Sequence, residues 1–133
     1  MNLVEKLIRI DKDKVREKET KKIKSRKLSK ILGEETEITI QELSGKKYND
    51  IIKMCVDKKG NKDWSKINDM NLMFCMEGIV DPPMKSQELL EHFGAKTPKD
   101  LAELLFDAES AYIADEISTL SGFTKDTEDE VKN

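Results

Sequence analysis

The chain has 133 residues, of which 37% are hydrophobic, 38% charged and 5% aromatic, with a formal net charge of −3. A chain of that length forms one domain that buries roughly two-thirds of its unfolded surface, and the charge excess predicts a small core with long solvated faces. No run approaches the roughly 18 uncharged apolar residues of a membrane span, and the opening MNLVEKLIRIDKDK has no apolar signal-peptide core, so neither membrane nor export is expected.

Charge is unevenly distributed along the sequence. Residues 1–30 carry 12 Lys/Arg against 5 Asp/Glu, whereas residues 81–133 carry 5 against 13. In the first segment, Leu3, Val4, Leu7 and Ile8 follow an i, i+1, i+4, i+5 spacing that predicts a short amphipathic helix within an N-terminal arm, residues 1–19. From Thr20 to Leu28, TKKIKSRKL sets Ile23 and Leu28 among bases, and EITIQEL alternates Ile38 and Ile40 with Thr39 and Gln41. The two predict antiparallel strands joined through Gly33, a short two-stranded ribbon whose exposed edge over 20–42 permits self-association.

Helical periodicity dominates the remainder. SGKKYNDIIKMCVD aligns Tyr48, Ile51, Ile52, Cys55 and Val56 on one face, with Ser44 as N-cap. KKGNKD is a loop, and WSKINDMNLMFCMEGIV predicts a broadly apolar central helix containing Ile67, Met70, Met73, Phe74 and Cys75. Asp81, Pro82 and Pro83 stop it and extend the chain. KSQELLEHFG predicts a helix with Leu89, Leu90 and Phe93 inward and Gly94 as left-handed cap. Thr97 caps the next helix, with Pro98 at its first position and Leu101, Leu104 and Leu105 inward. A last helix is predicted to start at Asp107 as cap, to bury Ala111, Ile113 or Tyr112, Ile117 and Leu120, and to end at Gly122 with Phe123. The segment TKDTEDEVKN, residues 124–133, reads as an acidic flexible tail. The fold class is mainly α, a compact domain of about five helices with the ribbon near its N-terminus.

Chemistry-bearing groups are sparse. Cys55 and Cys75 form no CxxC and have no neighbouring histidine, which points to small apolar packing rather than zinc or disulfides. His92, the single histidine, stands beside Glu88 and Glu91, short of the three or four ligands of a zinc site. Without a glycine-rich phosphate loop, GxSxG or HExxH, the sequence predicts neither an enzyme nor a cofactor. Methionines at Met70, Met73 and Met76 are either core filler or a plastic binding surface. The basic segment 12–30 admits a second reading as a small nucleic-acid-binding regulator, weakened by its lack of aromatics and its interspersed acids.

From Lys21 onward the chain resembles the XkdN-like tail assembly chaperones of PBSX-type prophages and related phage tails. The resemblance rests on "IKSRKL", on "ITIQELSGKKYNDIIKMC", on "LLEHFGAKTPKDLAELLF" with its Leu-x-x-x-Phe-Gly-x-x-x-Pro-x-x-Leu rhythm, and on a terminal "LSGF". It covers roughly residues 21–123, most specifically 78–123. One departure is Asp107, Ala108, Glu109, where relatives commonly carry Pro-Gly-Glu before the last helix. Glu109 still suits a positive helix end. The resemblance implies a chaperone domain over 20–123 that acts in the bacterial host cytoplasm without chemistry of its own. It implies binding of the tape measure protein, which is thereby kept soluble, help in recruiting tail tube protein, and departure before the particle is complete. Such work needs exposed apolar surface, and the candidates are Met70, Met73, Met76, Leu90 and Phe93.

Overall fold

The structure, a computed structural model, describes residues 1–123. The acidic tail expected at 124–133 lies outside the described residues. Helices α1 (Leu3–Ile8) and α2 (Lys12–Arg16) precede strand β1 (Thr20–Lys24), helix α3 (Arg26–Leu32), strand β2 (Glu37–Gln41) and helix α4 (Gly45–Lys53). Then come α5 (Ile67–Gly78), β3 (Ile79–Asp81), α6 (Gln87–Phe93), α7 (Pro98–Phe106) and α8 (Ser110–Leu120). Helices therefore dominate, as the periodicity predicts, but there are more than five of them.

The ribbon expectation needs two corrections. The strand ends at Lys24, because the Ser25 hydroxyl accepts from the Leu28 amide and starts α3. A serine N-cap of this kind outweighs the weak alternation of RKL. The sheet also has three strands, antiparallel in the order β1-β2-β3, with Ile23 opposite Ile38 and Ile40 opposite Ile79. The third strand is IVD, read from sequence as the end of the central helix. Ile79 leaves that helix because its extended conformation completes the buried face of the sheet.

Helix α5 occupies the centre, packed against α8, α7 and α4. Leu72, Cys75, Leu101, Phe106, Ile113 and Ile117 are fully buried around it. Each large apolar side chain withdrawn from water in this way contributes about 1.5–3 kcal/mol. The α5–α8 approach is close enough to require glycine, since a Cβ on Gly78 would lie 2.9 Å from Cγ1 of Ile117. Ser44 and Thr97 cap their helices as predicted, accepting from the amides of Lys47 and Asp100, and Ser86 caps α6 by accepting from that of Leu89. Gly94 ends α6 at φ 66°, a left-handed conformation open to glycine.

Several inward assignments shift by a position. Leu104 and Tyr112 are half exposed and Ala111 is exposed, while Ile113, Ala114 and Ile117 face the core. Asp107 does not cap the last helix. It ends α7 at φ 47°, ψ −120°, and a single 3₁₀ turn over Asp107–Glu109 re-aims the chain before α8. That added turn rotates the face of α8 that meets the core.

Candidate partner-binding surfaces

Met70, Met73 and Met76 fall on one flank of α5 at i, i+3, i+6, and each is half-buried. Met70 and Met73 pack against the core, so a large part of each thioether chain is structural. Leu90 and Phe93 sit three residues apart on α6. Leu90 is half-buried against the core, and Phe93 is 42% exposed with His92 edge-on to its ring at 4.8 Å. The sequence reading had Phe93 inward; the left-handed turn at Gly94 ends the helix before that face is covered. The five candidates form two patches on separate helices, both of which pack on α7.

A third surface is assembled from residues far apart in sequence. The Glu109 carboxylate reaches across to α3, accepting from the Ser25 hydroxyl at 2.6 Å, from the Arg26 amide at 2.6 Å and from the Lys27 amide at 3.3 Å. Three donors on one carboxylate make a charge-assisted cap supplied by a different helix. The sequence pattern places Glu109 at its own helix end; in the fold it serves α3. The bond pins α3 beside the α7–α8 turn and leaves a groove of about 790 Å³ between them. Lys24, Arg26, Lys27 and Lys30 line one side, and Phe106, Ala108 and Tyr112 line the other.

Among the described residues the titratable groups show no built catalytic arrangement. Burial, reinforced by the nearby Glu109 carboxylate, pushes the Cys75 thiol up to about 12, and its Sγ lies 3.7 Å from the Ser110 carbonyl. A thiol so placed stays protonated and is a poor nucleophile. Asp63 is held below the usual carboxylate range by bonds from the Ser65 hydroxyl and amide, a turn-capping arrangement. His92 is exposed on α6. Among the described residues no group of three or more His, Cys, Asp and Glu gathers as a metal site, and no helix is long and apolar enough to cross a membrane.

The basic segment 12–30 is divided among α2, β1 and α3, and several of its charges are engaged within the chain. Lys21 pairs with Glu116 at 3.0 Å, and Lys27 donates to the Leu104 carbonyl at 2.9 Å. Strand β1 forms one edge of the sheet, and its exposed Lys21, Lys22 and Lys24 resist antiparallel pairing with a second copy.

The model of the phage XkdN-like tail assembly chaperone protein family matches residues 4–133. The chain belongs to that family. The match extends past the 21–123 segment that carried the resemblance and takes in most of the N-terminal arm. No curated protein and no solved structure matches the chain significantly. In this tail assembly chaperone, the residues that sequence reasoning passed over are those of the groove. The sequence pattern places Arg26 in a strand and Lys30 in the run that follows it. The available signal was Ser25, a cap residue without the glutamate three positions on that completes a capping box. Glu109 gave no local signal at all, because its partners lie more than 80 residues away.

Proposed function

We propose that this member of the family binds the tape measure protein of a phage tail, keeps it soluble, assists the recruitment of tail tube protein, and is absent from the finished particle. Family membership over residues 4–133 carries the reading. Its physical support is the exposure of apolar side chains in several places. Leu3, Val4, Leu7 and Ile8 are each more than half exposed along α1, and Phe93 is partly open on α6. Contacts of that kind are moderate in strength and displaceable, which suits a partner that must be handed on to a growing tube. Met70, Met73, Met76, Leu90 and Phe93 stay candidate contacts; half-burial leaves the first four a reachable edge, and Phe93 is exposed.

The test is co-expression with the tape measure protein, followed by size exclusion with light scattering at two salt concentrations and mass spectrometry of purified particles. A soluble complex that persists at raised salt, together with absence of the chain from particles, is the expected result. Salt-sensitive retention of nucleic acid by the chain alone, with no complex, would transfer the function to the basic segment 12–30.

A further inference from the structure

The groove beside α3 is built unlike the methionine flank. Its floor is closed by Phe106, which is fully buried, and one wall presents Ala108 and the half-exposed ring of Tyr112. The opposite wall is cationic. Two of its charges are engaged elsewhere: Lys24 lies 3.9 Å from Glu35, and Lys27 donates to the Leu104 carbonyl. Arg26 and Lys30 have no carboxylate within ion-pair distance among the described residues. The one carboxylate directed at α3, that of Glu109, is consumed by Ser25 and by the amides of Arg26 and Lys27. The α3 backbone is therefore already satisfied, and the groove presents side-chain cations on one side and, on the other, apolar surface together with Asp107.

We propose that this groove is the docking site for an acidic, apolar-faced segment of the protein partner, with its carboxylates toward Arg26 and Lys30 and its apolar side chains against Tyr112 and Ala108. The proposal rests on the partner-binding reading above and supplies its surface and its chemistry. Charge complementarity selects the occupant. A second copy offering its own cationic α3 or β1 would be repelled, and a nucleic-acid backbone would meet Asp107 and Glu109 on the wall opposite the cations. A segment with carboxylates on one face and apolar side chains on the other can turn its charge to Arg26 and Lys30 and its apolar face to the wall that carries Asp107, whereas a nucleic-acid backbone is charged along its whole length. Aligned guanidinium and ammonium groups beside an apolar wall also raise the encounter rate and fix the register of such a segment.

The junction itself is held in an uncommon shape. Asp107 takes φ 47° and ψ −120°, a conformation that favours glycine, directly at the groove lip. Strain of this kind persists only where the surroundings over-determine it, and here the Glu109 bonds to α3 provide that constraint.

The experiment measures the affinity of the full chain for the co-expressed tape measure protein at about 0.1 M and 0.5 M salt, spanning Debye lengths on which surface charge pairs differ strongly. The variants are Arg26→Glu with Lys30→Glu, Tyr112→Ala, and a control reversing Lys58→Glu with Lys59→Glu in the loop after α4, each checked for an unchanged melting temperature. The groove reversal should weaken binding at least about tenfold at low salt and remove most of the salt dependence, Tyr112→Ala should weaken it at both salts, and the loop reversal should leave it unchanged. Equal affinity for the wild type and a folded groove reversal would overturn the groove while leaving the chaperone reading intact. Equal losses from both reversals would also overturn it, because net charge alone would then account for the effect. If the wild type forms no complex, both readings fall together. Nucleic acid retained by the wild type and released by the groove reversal would instead assign the cations to phosphate.

Discussion

Residues 2–17 and the body from Thr20 to Phe123 obey different physics. In the arm every residue is exposed, and its hydrogen bonds are local, such as the Asn2 side chain accepting from the Glu5 amide and the Asp11 side chain from that of Asp13. In the body the decisive contacts cross the sequence: Glu109 to α3, Gly78 against Ile117, Cys75 beneath Ser110. Helices as short as α1 are marginal in water on their own. The arm is thus amphipathic without burying its apolar stripe, while the body spends its apolar residues on one core. Stability resides in the second region, and the first is available for contact.

Replacing Glu109 tests this contrast most severely. Hydrogen bonds to a charged group contribute about 1.5–3 kcal/mol each, and Glu109→Ala removes three while exposing the amides of α3. Because the three share one carboxylate, the third is long at 3.3 Å and the freed α3 amides can turn to water, the expected loss falls below the simple sum, at about 3–5 kcal/mol in urea or thermal unfolding, with Glu109→Gln recovering part of it. A loss below about 0.5 kcal/mol would mean that α3 is held by its apolar contacts alone. Gly78→Ala comes next. The added methyl would press into the side chain of Ile117, which is fully buried and must shift to admit it, so about 1–3 kcal/mol should be lost. An unchanged unfolding midpoint would show the α5–α8 interface to be looser than its geometry.

What could be read in advance follows the same divide between local and distant interactions. Caps at Ser44, Thr97 and Gly94 and the apolar face of α4 are written within a few neighbouring residues, and the sequence predicts them. The conversion of Arg26–Leu32 to helix depended on Ser25 prevailing over a weak strand pattern. The departure of Ile79–Asp81 into the sheet depended on a partner, β2, nearly forty residues earlier. Of the candidate contacts, Met70, Met73 and Met76 do share a flank, as their spacing requires. Phe93 proved more open than periodicity predicts, because its helix stops one residue later. The groove was illegible, since its two walls are brought together only by Glu109.

Alkaline unfolding probes the core on a smaller scale. In the folded protein the Cys75 thiol is raised from an ordinary 9.0 to about 12, so it stays protonated where the unfolded chain has begun to ionise. Its contribution is fully present below pH 9 and is lost as pH rises toward 12, with a slope of about 1.4 kcal/mol per pH unit. At pH 10 the wild type should therefore have lost about 1.4 kcal/mol more than Cys75→Ala, each compared with its own value at pH 8. Parallel pH profiles for the two proteins would show that the thiol is ionised, or reached by water, in the native state.

Deletion of residues 1–17 should have the smallest effect. The bonds that join this end of the chain to the body begin at Glu19, whose amide donates to the Glu42 side chain and whose carbonyl accepts from the Glu42 amide. Removing what precedes it takes away no buried side chain, so the unfolding free energy should move by less than about 0.5 kcal/mol with an unchanged denaturant slope. A loss above about 1 kcal/mol would mean that Leu3, Val4, Leu7 and Ile8 pack on the body in solution, and the contrast between a stabilising body and a free arm would fail. If stability is unchanged while tape measure binding weakens, the arm's apolar stripe has a role that folding does not require. That outcome would explain why so much aliphatic surface is left exposed along α1.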